Sequence, residues 1–213
     1  YLTFSFYLKL LEFGALGYLS YLIYQRYQKT SLPLARRLQL QFLVSPLTYA
    51  IIVFHGQTDV ILLALVAASV VVWQQQANWK RIMLGGLLFG ASIATKTWSA
   101  VLGLIITSYQ KNLAKSVLFF GVAVVFIVSD VFLYTRLVFG SSLRQIFPVV
   151  LQAGGPEGIW GLSWLAKTIS WETPAPLLIF GISLLLGQIV ILWRAKQLGW
   201  SIWQSFLFAT LFI

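Results

Sequence analysis

The sequence predicts an all-α fold: a polytopic transmembrane helix bundle of about eight membrane segments, including a short helical hairpin over 81–109. Three observations predict it. Of 213 residues, 59% are hydrophobic and only 9% charged, with a mean hydropathy of +0.85; a soluble domain of this size needs more polar surface than that. Apolar runs near 3–24, 38–54, 59–75, 115–135, 175–194 and 200–213 approach the ~20 residues that cross a bilayer, and they lack the alternation of barrel strands. The fifteen Lys and Arg residues cluster between these runs.

The stretch from Arg81 to Tyr109 is too long for one ordinary span and too short for two, and Lys96 interrupts it. A charge at the centre of a lipid-facing helix is costly, so the chain is expected to turn there. With a hairpin at 81–109, Arg26, Lys29, Arg36, Arg37, Lys80, Arg81, Lys111, Lys115, Arg194 and Lys196 fall on one side, which the positive-inside rule makes cytoplasmic. The opposite face then receives the loop from His55 to Asp59, the tip at Lys96 and the segment from Arg136 to Pro174. The chain is expected to be one transmembrane domain, 1–213, cut from a longer protein at both ends, because apolar runs begin at Tyr1 and stop at Ile213.

Composition also excludes chemistry. The net charge of +10 is scattered rather than gathered into a phosphate-tracking face, which argues against nucleic acid as a partner. There is no cysteine, so disulfides, thiolate metal sites and cysteine nucleophiles are ruled out. One His and five acids leave little for a metal cage, and neither metal nor cofactor is expected.

Lys96 is the most informative residue, because an ammonium in an apolar hairpin must find an anion, carbonyls or water. A lipid phosphate would suit it; snorkelling to headgroups or pairing with Asp130 is the plainer account. His55, Gln57 and Asp59 stand at the outer entrance of a span, where polar side chains and free backbone N–H groups can hold a sugar or its phosphate. Helix capping by Thr58 or Asp59 is the plainer account there. Gly85, Gly86 and Gly90 would allow close helix packing around the site. Lys9 and Glu12, spaced i and i+3, are expected to neutralise one another. Glu157 and Glu172 read as solvated loop acids, and Trp160, Trp164 and Trp171 as interfacial anchors or as platforms for a sugar or prenyl chain.

The phrase Ser45-Pro46, then His55-Gly56-Gln57-x-Asp59, an apolar span, a short basic turn and Gly90-x-Ala-x-x-x-Lys96 resembles the multispanning GT-C glycosyltransferases, especially bacterial mannosyltransferase-like members. The core of the resemblance covers about residues 45–110. Lys9-Leu-Leu-Glu12 is similar to the helix after the family's first outer loop, and Gly158-Ile-Trp160-Gly161-Leu-Ser163-Trp164 to a Trp-rich outer loop. Ser99 stands where members often have Pro, three residues after the Lys.

The resemblance implies transfer of a mannose-like hexose from a polyprenyl-phosphate donor to an acceptor on the outer face, in a bacterial inner membrane. Lys96, helped by Arg136 or Arg144, would hold the donor phosphate. His55, Gln57 and Trp160 would contact substrate, and Asp59 is the candidate catalytic base where the family's usual acid, which lies in a loop preceding Tyr1, is lacking. A secondary transporter is the first alternative, since broken helices around an intramembrane Lys also suit a midplane site. A non-catalytic subunit assembled with partner chains of a larger membrane complex is the second.

Overall fold

The computed structural model describes residues 2–46, 59–75, 78–109, 112–134, 136–137 and 175–205, and every element among them is helical. In chain order these are α1 (Leu2–Tyr27), α2 (Leu32–Leu43), α3 (Asp59–Gln74), α4 (Trp79–Thr95), a 3-10 helix (Thr97–Leu102), α5 (Gly103–Ser108), α6 (Leu113–Tyr134) and α7 (Ala175–Leu198). They sort into two compact units: residues 1–99 with 117–124, and residues 100–116 with 125–213.

Within the described residues, Phe6–Tyr27 and Leu113–Leu133 are helices long and apolar enough to cross a membrane, and Asp59–Gln74 is apolar but shorter. The expected spans at 59–75, 115–135 and 175–194 correspond to α3, α6 and α7. The expected span at 38–54 differs. Its helix starts earlier, where the Ser31 hydroxyl caps Leu34 N–H at 3.4 Å ahead of Pro33, and it stops at Leu43, just before Ser45-Pro46. Proline restricts the residue before it away from helical angles, so the run breaks there. Residues 47–58 and 206–213 lie outside the described part.

In the first unit, α1 lays Leu16 against Val60, with Ala15, Leu19, Phe42, Leu43 and Ile61 around them. The same face of α1 buries Glu12 and Ser20. Glu12 is completely enclosed, and Lys9 Nζ lies 2.7 Å from its Oε2, as the i, i+3 spacing predicts.

A short turn joins α3 to α4. Asn78 Oδ1 accepts from Arg81 N–H at 3.1 Å and opens α4, while the Arg81 guanidinium donates to the Gln75 carbonyl at 3.2 Å. The two helices run antiparallel in a register marked by Ser69, whose hydroxyl donates to the Gly85 carbonyl at 2.8 Å. The middle of α6 closes the core: Phe119 packs against Trp73 and Phe89, with ring centroids 4.7 and 5.4 Å apart, and all three are buried. This approach depends on Gly86. A β-carbon there would lie 2.6 Å from the Phe119 carbonyl oxygen and 3.1 Å from Val122 Cβ.

In the second unit, α7 ends at Gly199, whose φ of 62° is left-handed; Trp200 N–H reaches back to the Ala195 carbonyl at 2.9 Å, the six-to-one bond of a glycine-terminated helix. The Tyr109 hydroxyl donates to the Trp200 carbonyl at 3.0 Å and meets the Ser205 hydroxyl.

On α6 many large apolar side chains face outward, while several polar side chains of the chain are enclosed. Leu113, Val117, Val125, Val128 and Leu133 of α6 are more than half exposed, whereas Glu12, Ser69, Ser92, Ser99, Gln188 and Ser205 are buried. That is the reverse of a water-soluble surface.

Candidate functional site

Asp59 is the first residue of α3 and Lys96 the residue that ends α4. The two helices have nearly equal length and run antiparallel about sequence position 77, so the start of one and the end of the other come to the same place. Ser69 and Gly85 stand equally far on either side of that position, and Asp59 and Lys96 nearly so. The geometry follows this register: Lys96 Nζ lies 2.7 Å from Asp59 Oδ1.

Burial sharpens the contact. The Lys96 side chain is 36% exposed and that of Asp59 25%, but Asp59 Oδ1 itself is shut away from solvent. The ammonium approaches it off the line of a well-formed hydrogen bond, so the contact is an ion pair held by charge. Each partner also suits its place in the backbone. A carboxylate at a helix N-terminus and an ammonium at a C-terminus are each favoured by roughly 0.3–1 kcal/mol through the helix dipole.

The chain turns sharply at the lysine. Lys96 adopts extended angles, with its N–H bonded to the Ser92 carbonyl at 3.1 Å. Ser92 and Ser99, both fully buried, have their hydroxyl oxygens 3.2 Å apart. Seven residues along an unbroken helix would separate them by about 10 Å, so the chain folds back here. Ser99 donates to the Lys96 carbonyl at 3.1 Å. Ser92 has one proton for two acceptors, the Phe89 carbonyl at 2.7 Å and Ser99 Oγ; given to Ser99, it completes a relay from Ser92 through Ser99 to the lysine's backbone.

Of the residues singled out from sequence, the structure brings Asp59 and Lys96 together. Within the first unit the partner of Lys96 is Asp59; Asp130 is exposed on the part of α6 that belongs to the second unit. Arg136 is exposed, with its guanidinium 5.7 Å from the centroid of the Phe132 ring, in the second unit. His55, Gln57, Arg144 and Trp160 lie outside the described residues, as do Glu157, Trp164, Lys167, Trp171 and Glu172. Sequence reasoning missed the contact of Ser92 with Ser99. It put Asp59 and Lys96 in one candidate site but missed that they pair with each other. No protein-family model, no curated protein and no solved structure matches this chain.

Proposed function

We propose that this chain belongs to a polytopic membrane glycosyltransferase of the GT-C type, which transfers a mannose-like hexose from a polyprenyl-phosphate donor at the outer face of a bacterial inner membrane. The inverted distribution of apolar side chains supports the membrane setting: lipid tails solvate what water would not. The observation that carries the catalytic reading is the ion pair between Asp59 and Lys96, set at the meeting ends of two helices.

In the reaction, the bond between the hexose C1 and the donor phosphate oxygen breaks, and its electron pair stays on the phosphate. The acceptor hydroxyl oxygen bonds to C1, and its proton passes to a base. A fixed ammonium stabilises the charge gathering on the departing phosphate. The Lys96 ammonium carries three N–H donors and no acceptor, which suits a phosphate. Asp59 Oδ1 faces Lys96, so as a base this oxygen takes the acceptor proton once that contact has been exchanged. The donor phosphate is the anion that takes Asp59's place on the lysine. Phosphate binding and release of the base are thereby one event.

The test is Lys96→Met in the full-length protein, assayed in membrane vesicles with a polyprenyl-phosphate hexose. Met keeps the apolar stem and loses the cation. Transfer is expected to vanish while membrane insertion persists, with partial activity in Lys96→Arg. A Lys96→Met protein that inserts normally and transfers hexose at the wild-type rate removes the lysine from donor binding.

A further inference from the structure

The corner between α1 and α2 carries charge that the proposed site does not use. Arg26 and Lys29 end α1 and its turn, and Arg36 and Arg37 follow on α2; all four are exposed. Between Glu12 and Asp59 the sequence contains no Asp or Glu, so nothing acidic along this stretch offsets them. The turn is rigid, because Thr30 and Ser31 N–H groups both bond the Tyr27 carbonyl at 3.0 Å and Ser31 caps α2. The four cations are thus held on a fixed platform.

The outward face of α2 is not simply polar. Ala35 is fully buried, with Phe42 and Leu43 packed inward beside Leu16, while exposed Leu40 stands one helical turn from Arg36 and Arg37 and exposed Leu34 one turn from Arg37. Leucine and arginine side by side on one open helix face suit the boundary of a bilayer: the leucines enter the acyl region and the arginines reach up to phosphate. At 12 residues, about 18 Å, α2 is too short to cross a ~30 Å hydrocarbon core; it packs back along α1 with Phe42 and Leu43 beside Leu16, so its first turns, with Arg36 and Arg37, stay at the Arg26 end of α1.

We propose that this corner is a binding surface for anionic phospholipid headgroups, formed by Arg26, Lys29, Arg36 and Arg37 with Leu34 and Leu40 as its apolar footing. It selects lipids with a net negative headgroup over zwitterionic ones through charge complementarity. The inference rests on α1 crossing a bilayer and is independent of glycosyl transfer.

The experiment places the full-length protein in nanodiscs of phosphatidylcholine containing a minor fraction of phosphatidylglycerol, and measures by native mass spectrometry which lipids stay bound. Wild type should retain phosphatidylglycerol above its bulk share, by about fivefold for each basic residue that engages a headgroup. Arg36→Gln/Arg37→Gln should lower that enrichment, and the fourfold variant with Arg26→Gln and Lys29→Gln should abolish it, with helix content unchanged by circular dichroism. Retention at the bulk ratio in wild type overturns the proposal, as does enrichment that survives in the fourfold variant. Displacement of the lipid by an equal concentration of soluble glycerol phosphate also overturns it, since the surface would then read free phosphate and not a bilayer. A protein that does not enter nanodiscs removes the membrane reading as well; one that enters without lipid preference, yet transfers hexose, fails this proposal alone.

Discussion

Asp59 and Lys96 hold one another at 2.7 Å where the first residue of α3 meets the end of α4, thirty-seven positions apart in the chain. Neither helix would place its charge there by itself. The contact follows from two helices of matched length joined by a capped turn and locked in register by Ser69 and Gly85.

The pair should show up in stability as a coupling. Lys96→Met leaves the enclosed Asp59 oxygen without its cation and should destabilise the protein. Adding Asp59→Asn should recover part of the loss, with a coupling energy of about 1 kcal/mol given how far both side chains remain in contact with solvent. Denaturant unfolding in detergent of wild type, both single variants and the double variant measures it. Strict additivity of the two changes would mean that the charges do not interact.

Asp59 also competes with any anion that seeks the lysine, so its neutralisation should separate binding from turnover. Asp59→Asn is expected to bind sugar-free polyprenyl phosphate more tightly than wild type, by about fivefold if roughly 1 kcal/mol of ion-pair competition is removed. The same variant should lose hexose transfer. Equilibrium binding of a fluorescent polyprenyl phosphate, run beside the transfer assay, reads both quantities. Weaker phosphate binding in Asp59→Asn would show that the carboxylate supports the anion site and does not rival it.

Gly86 should tolerate no side chain. A methyl at this position meets the Phe119 backbone carbonyl at 2.6 Å, and backbone cannot move aside as a flexible side chain would. Gly86→Ala is therefore expected to destabilise by about 1–3 kcal/mol through overpacking. Gly121→Ala, with nothing within 4 Å of the new carbon, should be neutral or should gain up to about 1 kcal/mol from helix propensity. Thermal unfolding of the two variants side by side distinguishes them; equal effects would contradict the close approach of α6 to α4.

Much of this was legible in the residues. The all-helical class and the positions of α3, α6 and α7 follow from apolar runs of the right length, because a segment that buries or sheathes itself in hydrocarbon must close its own hydrogen bonds. The break at Lys96 follows from the cost of a charge in an apolar helix, and the pairing of Lys9 with Glu12 from their i, i+3 spacing. These are local consequences, fixed within one helix or at its end. The expected span at 38–54 is interrupted at residues 44–45, where the Ser45-Pro46 signal outweighs the average apolarity of the run, and its part from 47 on lies outside the described residues.

What the tertiary structure alone decided is which charges meet across helices. From sequence, Asp130 was the simpler partner for Lys96, since both stood near the expected outer ends of apolar runs. The choice of Asp59 depends on the angle and register of α3 against α4, and those are set by details no hydropathy pattern contains. A hydroxyl at Ser69 reaches one particular carbonyl, and the missing side chain at Gly86 lets Phe119 close the core. Apolarity says only that helices pack; side-chain volume and single hydrogen bonds say where along their length they do so, and a shift of one turn, about 5.4 Å, would have parted the pair.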